Sequence, residues 1–308
     1  MLIYNPASGR NRLRRAAQVR QVAMALTALE HSVELIATAA PGSATQHAQD
    51  AARGGADIVF ACGGDGTIHE VLQGLVSRTG EPTAALGIIP LGSANALARH
   101  LRLSLDPLKA ALQQIEGTPQ KIPVGDLTYG DQIRYFAVMA GAGPDSALAH
   151  SLLSAQKASL GRLAYYVHAA RLFATLRFGP FDVEYTEAAS GVTTTLQAVS
   201  AMAVRVNDLG GLFSGLTGRQ ASIRDANLRL ILVRPPAALS LPLWFVTGWL
   251  NLRRFNPLIR MVNVTEFSCR PIATPAPHFE ADGEWLGHIP IQVSILPNAL
   301  RILLPAAD

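Results

Sequence analysis

A doubly wound α/β domain followed by a β-rich second domain is the architecture the sequence predicts, on three observations. Strand-like and helix-like segments alternate through the first third of the chain. A glycine-rich turn, Gly63-Gly64-Asp65-Gly66-Thr67, stands between a strand-like run and a helix-like one. From about Lys121 helical periodicity gives way to successive apolar, strand-like runs. Repeated βα units imply a parallel sheet with helices on both faces. A chain of 308 residues, 49% hydrophobic and 16% charged, has the length and apolar content for two cores. The expected division is residues 1–120 and 121–298, with the segment 299–308 returning to the first domain because chain termini often lie close together.

Taken in order, Leu2–Tyr4 reads as a strand. Arg12–Glu30 reads as a helix, with Val19, Val22, Leu26 and Leu29 on one face. Val33–Ala37 is a second strand, Ser43–Arg53 a helix and Ile58–Ala61 a third strand. Ile68, Val71, Leu72, Leu75 and Val76 follow at i, i+3, i+4, i+7 and i+8, the spacing of one helix face. Ala84–Ile89 is a fourth strand, with a short helix from about Ala94. Farther on, Ile133–Ala140, Phe181–Tyr185, Thr193–Val206, Leu228–Val233, Val264–Cys269 and Ile291–Leu296 are strand-like. One helix, about Leu160–Leu176, interrupts them, and Leu300–Leu304 is a final strand. The second domain reads as antiparallel and sandwich-like.

Composition excludes some classes. The net charge is +4, and all but three of the 26 basic residues are arginine. Mild basicity suits phosphate ligands or an anionic membrane surface, but no basic run interleaved with aromatics suggests nucleic acid. Cys62 and Cys269 make neither a disulfide scaffold nor a metal-ligand spacing. No signal-peptide pattern and no run of about 18 apolar residues is present. These features favour a cytoplasmic protein, peripheral at the inner face of a membrane.

Four polar or glycine-bearing groups fall just after predicted strands: Asn5-Pro6-Ala7-Ser8-Gly9, Thr38, Gly63–Glu70 and Pro90-Leu91-Gly92-Ser93-Ala94-Asn95. Open α/β sheets bind ligands at the carboxyl ends of their strands. Glycines there permit close backbone approach, and amides at a helix N-terminus attract phosphate. Asp65 adds an anion that would repel phosphate unless a cation or a proton transfer is involved, which suggests phosphoryl transfer. Farther along, Asp282-Gly283-Glu284 reads either as a hairpin turn, which Asp-Gly favours, or as a carboxylate site.

With these motifs in view, the chain resembles the diacylglycerol-kinase-like catalytic domains, which include bacterial lipid kinases, sphingosine kinases and ceramide kinases. The carriers are Gly63–Thr67 with Glu70, the opening Asn5–Gly9, Pro90–Asn95, Gly141-Ala142-Gly143-Pro144-Asp145-Ser146, the spaced Lys157, Gly161 and Tyr165, Asn207-Asp208-Leu209-Gly210-Gly211, and Asp282–Glu284. The resemblance runs nearly end to end. It implies that Asn5, Pro6, Ala7, Ser8, Gly9, Thr38, Gly63, Gly64, Asp65, Gly66, Thr67, Ile68, His69, Glu70, Ser93 and Asn95 contact ATP. It implies catalytic roles for Glu284, Asp65 and Asp282: Glu284 accepts the proton of a lipid hydroxyl, Asp282 lies beside it, and Asp65 orients the magnesium nucleotide. A cleft between the domains would join donor and acceptor. A structural magnesium is implied on Ser222, Asp225 and Asn227, a hard cation held by oxygens.

Departures from the family pattern point to a divergent member. Ser93 replaces Thr, Pro144 replaces Phe, Ala96 replaces Asp, and Ala226 replaces the Gly beside Asp225. The His69 side chain is expected behind the nucleotide or facing solvent, Cys62 buried, and Arg10, Arg12, Arg14, Arg15 and Arg20 mostly on a solvated face. Leu239–Leu250, with two Trp and then Arg253 and Arg254, reads either as an interfacial segment or as one packed on the second domain. The leading expectation is an ATP- and magnesium-dependent lipid kinase of phospholipid metabolism, acting on a membrane lipid, with a homodimer as its candidate assembly. The alternatives are an NAD kinase-like phosphotransferase and a catalytically weak lipid-binding homologue.

Overall fold

The computed structural model describes residues 1–6, 12–144, 179–207, 221–237, 239–240, 243, 247 and 256–305. Ala7–Gly9, Asp145, Ser146, the Leu160–Leu176 helix, Asp208–Gly211, Arg253, Arg254 and most of Leu239–Leu250 lie outside them. The chain divides into two compact units, Met1–Val124 with Leu296–Asp308, and Gly125–Ile295.

Unit 1 is an α/β layer structure. Its strands are β1 (Leu2–Tyr4), β2 (Leu35–Ala37), β3 (Ile58–Gly63) and β4 (Ala85–Pro90), joined by the end of a long last strand, β15 (Ile291–Leu304). The order is β2-β1-β3-β4-β15, and all pairs are parallel. Five helices connect or flank them: α1 (Arg12–Ala28), α2 (Ser43–Arg53), α3 (Asp65–Leu75), α4 (Ala96–His100) and α5 (Pro107–Ile115).

Side chains alternate across a strand, so each strand feeds two cores. Leu2, Phe60, Cys62, Ala85, Ile89 and Leu303 pack with Val19, Val22 and Leu26 of α1 and Ala111 of α5. The intervening residues Ile3, Val59, Ala61, Leu86 and Ile88 are buried on the opposite face. α2 and α3 pack together, and Gly74 permits it: a Cβ there would lie 2.7 Å from that of Ala48. α5 was not read from the sequence, although Asp106-Pro107 carries its start signal; the Asp106 carboxylate accepts the Lys109 N–H at 2.9 Å.

Unit 2 is β-rich and antiparallel. β7 (Met139–Ala142), β10 (Ser200–Val204), β11 (Leu228–Val233), β12 (Ile259–Pro271), β13 (His278–Ala281) and β14 (Glu284–His288) run in the order β14-β13-β7-β10-β11-β12. β8 (Phe181–Glu187) pairs with β9 (Thr193–Ala198), and β5 (Thr118–Tyr129) with β6 (Gln132–Phe136). β12 pairs with β11 up to Val264, then with β8 and β15 past a register shift at Val264/Glu266. One core gathers Phe136, Phe181, Tyr185, Phe267, Phe279 and small aliphatics, and a second, smaller one gathers Val199, Met202, Val204, Ala221, Ile231 and Val233.

Three sequence readings change here, the first being Ile133–Ala140, which is divided between β6 and β7 at Ala137-Val138. Ile291–Leu296 and Leu300–Leu304 are one strand, β15, because Leu296-Pro297-Asn298 is a partner change within it rather than a turn: Asn298 takes φ 53°, and the strand leaves β12 to join β4. The stretch Thr193–Val206 is two strands, broken between Ala198 and Ser200.

Candidate active site

The parallel sheet places Asn5 after β1, Thr38 after β2, Gly63–Gly66 at the end of β3 and Leu91–Asn95 after β4, all on the carboxyl edge. Thr38 N–H donates to the Tyr4 carbonyl at 2.9 Å, holding the first two loops side by side. Leu91 N–H donates to the Gly63 carbonyl at 2.8 Å. Here the two glycine loops touch backbone to backbone. A Cβ on Gly92 would lie 2.5 Å from the Gly64 Cα, and one on Gly63 would run into the Thr67 side chain. Both glycines are therefore required by close approach.

Asp65 joins the loops. Its Oδ2 accepts the Asn95 N–H at 2.9 Å and its Oδ1 the Ala96 N–H at 2.7 Å. Asn95 stands in the left-handed region at φ 51° and closes its own loop, its Oδ1 accepting from Gly92 N–H (2.9 Å) and its Nδ2 donating to the Gly92 carbonyl (3.0 Å). The carboxylate expected to orient the nucleotide thus also holds the second glycine loop against the first.

No side chain caps α3 at Gly64, and its first helical bond is Ile68 N–H to Gly64 carbonyl, 3.1 Å. Early helix amides without an intrahelical acceptor make a site for anions. Gly66 is exposed, with nothing within 4 Å of where a Cβ would stand, and Ser93 and Ala94 are exposed beside it. Arg99 Nε donates to the Ala94 carbonyl at 2.9 Å, bringing a cation that the sequence reading did not single out.

Other expected nucleotide contacts lie differently. Ile68 and His69 are each 3% exposed, so only their backbone can face a ligand. The burial of His69 decides against solvent between the two positions expected for its ring; Ile68 and His69 fall on the core side of α3. The Glu70 carboxylate accepts the Gly42 N–H at 3.1 Å, and the Glu70 carbonyl accepts from Thr45 Oγ1 at 2.8 Å, tying α3 to the start of α2. Cys62 is buried, and burial pushes its thiol well above the usual range, leaving it inert.

In unit 2, Asp282 and Gly283 form the turn between β13 and β14, as the hairpin reading has it, and Glu284 opens β14. Asp282, at φ 48°, turns its carboxylate onto backbone: it accepts from Ala137 (2.9 Å), Val138 (2.8 Å) and Met139 (2.9 Å) N–H groups. Three backbone donors thus fix the Asp282 carboxylate against the residues that lead into β7. Buried Glu280 adds a bond from Gly283 N–H at 2.6 Å. The Glu284 side chain is 44% exposed, with Arg134 Nη2 3.7 Å from its Oε1. The turn is thus rigid at its base and presents a carboxylate at its end.

The implied magnesium ligands lie on one short loop. Asp225 turns back on it: its Oδ2 accepts the Ser222 N–H at 3.2 Å, and its N–H donates to the Ser222 carbonyl at 3.1 Å. Ser222, Asp225 and Asn227 offer one carboxylate and neutral oxygens, a donor set that a hard cation such as magnesium would complete with water.

Residues 1–127 match the family model of the diacylglycerol kinase catalytic domain. That match ends just inside unit 2, so it covers the loops that Asp65 joins. The diacylglycerol kinase of Bacillus subtilis (strain 168) is 36% identical over 185 residues, which is 60% of this chain and 58% of that protein. That of Staphylococcus saprophyticus is 30% identical over 186 residues, again 60% and 58%. The chain therefore spans less than two thirds of the length of these relatives. A crystal structure of a diacylglycerol kinase from Bacillus anthracis str. Sterne has a TM-score of 0.73 at 22% identity, covering 99% of this chain and 96% of that one. This likeness establishes the same two-part α/β and β-rich fold.

Proposed function

We propose that the chain is an ATP-dependent lipid kinase that transfers the γ-phosphate of MgATP to the hydroxyl of a diacylglycerol-like lipid. The observation that carries this reading is the Asp65-joined pair of glycine loops, lying within the residues that match the diacylglycerol kinase catalytic domain. Phosphoryl transfer depends mostly on positioning and charge stabilisation. The first-turn amides of α3 and the exposed Gly66 would receive the phosphates, and Asn5, Thr38, Ser93 and Asn95 the rest of the nucleotide. Asp65 would hold the loops in register. Glu284 would take the proton of the attacking hydroxyl, its turn fixed by Asp282 and Glu280.

A lipid acceptor would be met at a membrane surface. Among the described residues no helix is long and apolar enough to cross a membrane, so approach from the side is the mode this reading requires, with attachment at the inner face and a homodimer as its further parts.

The deciding experiment supplies labelled MgATP with diacylglycerol, sphingoid bases, other lipid alcohols and NAD. Label in the organic phase is expected. Label on NAD would replace the reading with a soluble-substrate kinase, and nucleotide binding without transfer to any acceptor would replace it with a lipid-binding homologue.

A further inference from the structure

Arg205 follows β10 and is 1% exposed, although arginine is almost never fully buried without a partner. Its Nη2 donates to the Ile223 carbonyl at 2.6 Å. Its N–H donates to the Val138 carbonyl at 2.9 Å. The N–H of that same Val138, with those of Ala137 and Met139, holds Asp282. Asp282 N–H in turn donates to the Met139 carbonyl at 2.8 Å, closing the connection to the turn that carries Glu284. Two residues on, Asn207 Oδ1 accepts the Ala221 N–H at 2.9 Å, so alternate residues after β10 pin the start of the 221–227 segment.

We infer that Arg205 is a positioning residue: its side chain holds the Ala221–Asn227 segment while its backbone holds the strand that receives Asp282, so one buried residue ties that segment to the Asp282–Glu284 turn. The functional half of this inference rests on reading Glu284 as the proton acceptor. Burial brings the pKa of its guanidinium down to about 10, with Asp282 and Asp225 acting in the opposite direction. A guanidinium offers several donors in a fixed plane, which suits a fixed link better than the single ammonium of lysine.

The test uses the full-length protein and Arg205→Lys, with Arg205→Met as the harsher change. Backbone hydrogen exchange is the primary readout because it needs no activity. In Arg205→Lys, exchange at Ala137–Met139 and Gly283 should quicken about ten-fold or more together with that at Ala221–Asp225, while Gly63–Thr67 stays unchanged. If the parent transfers phosphate to lipid, Arg205→Lys should lower kcat about ten-fold with the ATP KM unchanged. Quickened exchange confined to 221–225 would overturn the link. A parent without lipid kinase activity would sink the proposed function, and the exchange pattern alone would then decide on Arg205.

Discussion

The Asp65 carboxylate accepts the N–H of Ala96 at 2.7 Å, across thirty-one residues of sequence, while its second oxygen accepts that of Asn95. Charged acceptors on early helix amides act as caps and are each worth on the order of 1–2 kcal/mol. Asp65→Asn should lower stability by about 1 kcal/mol and Asp65→Ala by about 2–3 kcal/mol in urea unfolding. Nucleotide affinity should fall in the same order. An Asp65→Ala protein as stable as the parent would leave the loop-joining role without support.

The two glycine loops separate packing from binding. Gly92→Ala pushes a methyl group against the Gly64 backbone, which has no room to yield, and should destabilise unit 1 by about 2 kcal/mol or more. Gly66→Ala meets nothing, sits in a helix and should leave stability within about 0.5 kcal/mol. Its added methyl group would stand where phosphate oxygens approach, so ATP affinity should drop at least about ten-fold. Equal ATP binding by Gly66→Ala and the parent, measured by calorimetry, would move the phosphates off this turn.

Glu284 and Asp282 should fail in opposite ways. Glu284 is half-exposed, its pairing with Arg134 is loose, and pairs of this kind contribute about 0–1 kcal/mol. Glu284→Gln should keep the unfolding midpoint and ATP binding and lose transfer. Asp282→Ala removes an acceptor from three amides and should cost about 3 kcal/mol or more, with activity falling as folded protein is lost. If Glu284→Gln also unfolds early, its role is structural.

Gln114 of α5 completes the flank of β4. Register between β4 and β15 covers only Ala85 and Leu86, and beyond them the buried Gln114 side chain bonds both backbone groups of Ile88: Oε1 accepts the N–H at 2.8 Å and Nε2 donates to the carbonyl at 2.7 Å. Gln114→Leu fills the space but leaves two buried backbone groups unpaired, a loss of about 2–4 kcal/mol. Thermal unfolding measures this directly. A change below about 0.5 kcal/mol would mean that water replaces the amide.

The parallel sheet was legible because each short strand is an apolar run and each helix carries a 3.6-residue stripe. The loops were legible for the same reason, since they punctuate that alternation with glycine. What the pattern could not carry was which way a polar side chain turns inside the fold. Asp65, Asp282 and Glu70 look alike in sequence as candidate reactive carboxylates, yet each caps backbone amides contributed by residues far away in the chain. Gln114 and Arg205 gave a signal that was available, a polar residue on an otherwise apolar face, but its meaning depended on a partner: Ile88 in one case, Ile223 in the other. The one-strand character of β15 was hidden because Pro297-Asn298 is turn chemistry used for a change of partner.

That change of partner sets a timetable for the newly made chain. β4 gains its neighbour from Arg301 and Ile302, whereas everything in unit 2 up to Ile295 leaves the ribosome first. Unit 1 is thus begun before unit 2 is made and completed after it, and until then one side of β4 is an open edge able to pair with other strands. A nascent chain stalled before Leu296 should engage chaperones through β4, and emergence of Arg301 and Ile302 should end that engagement.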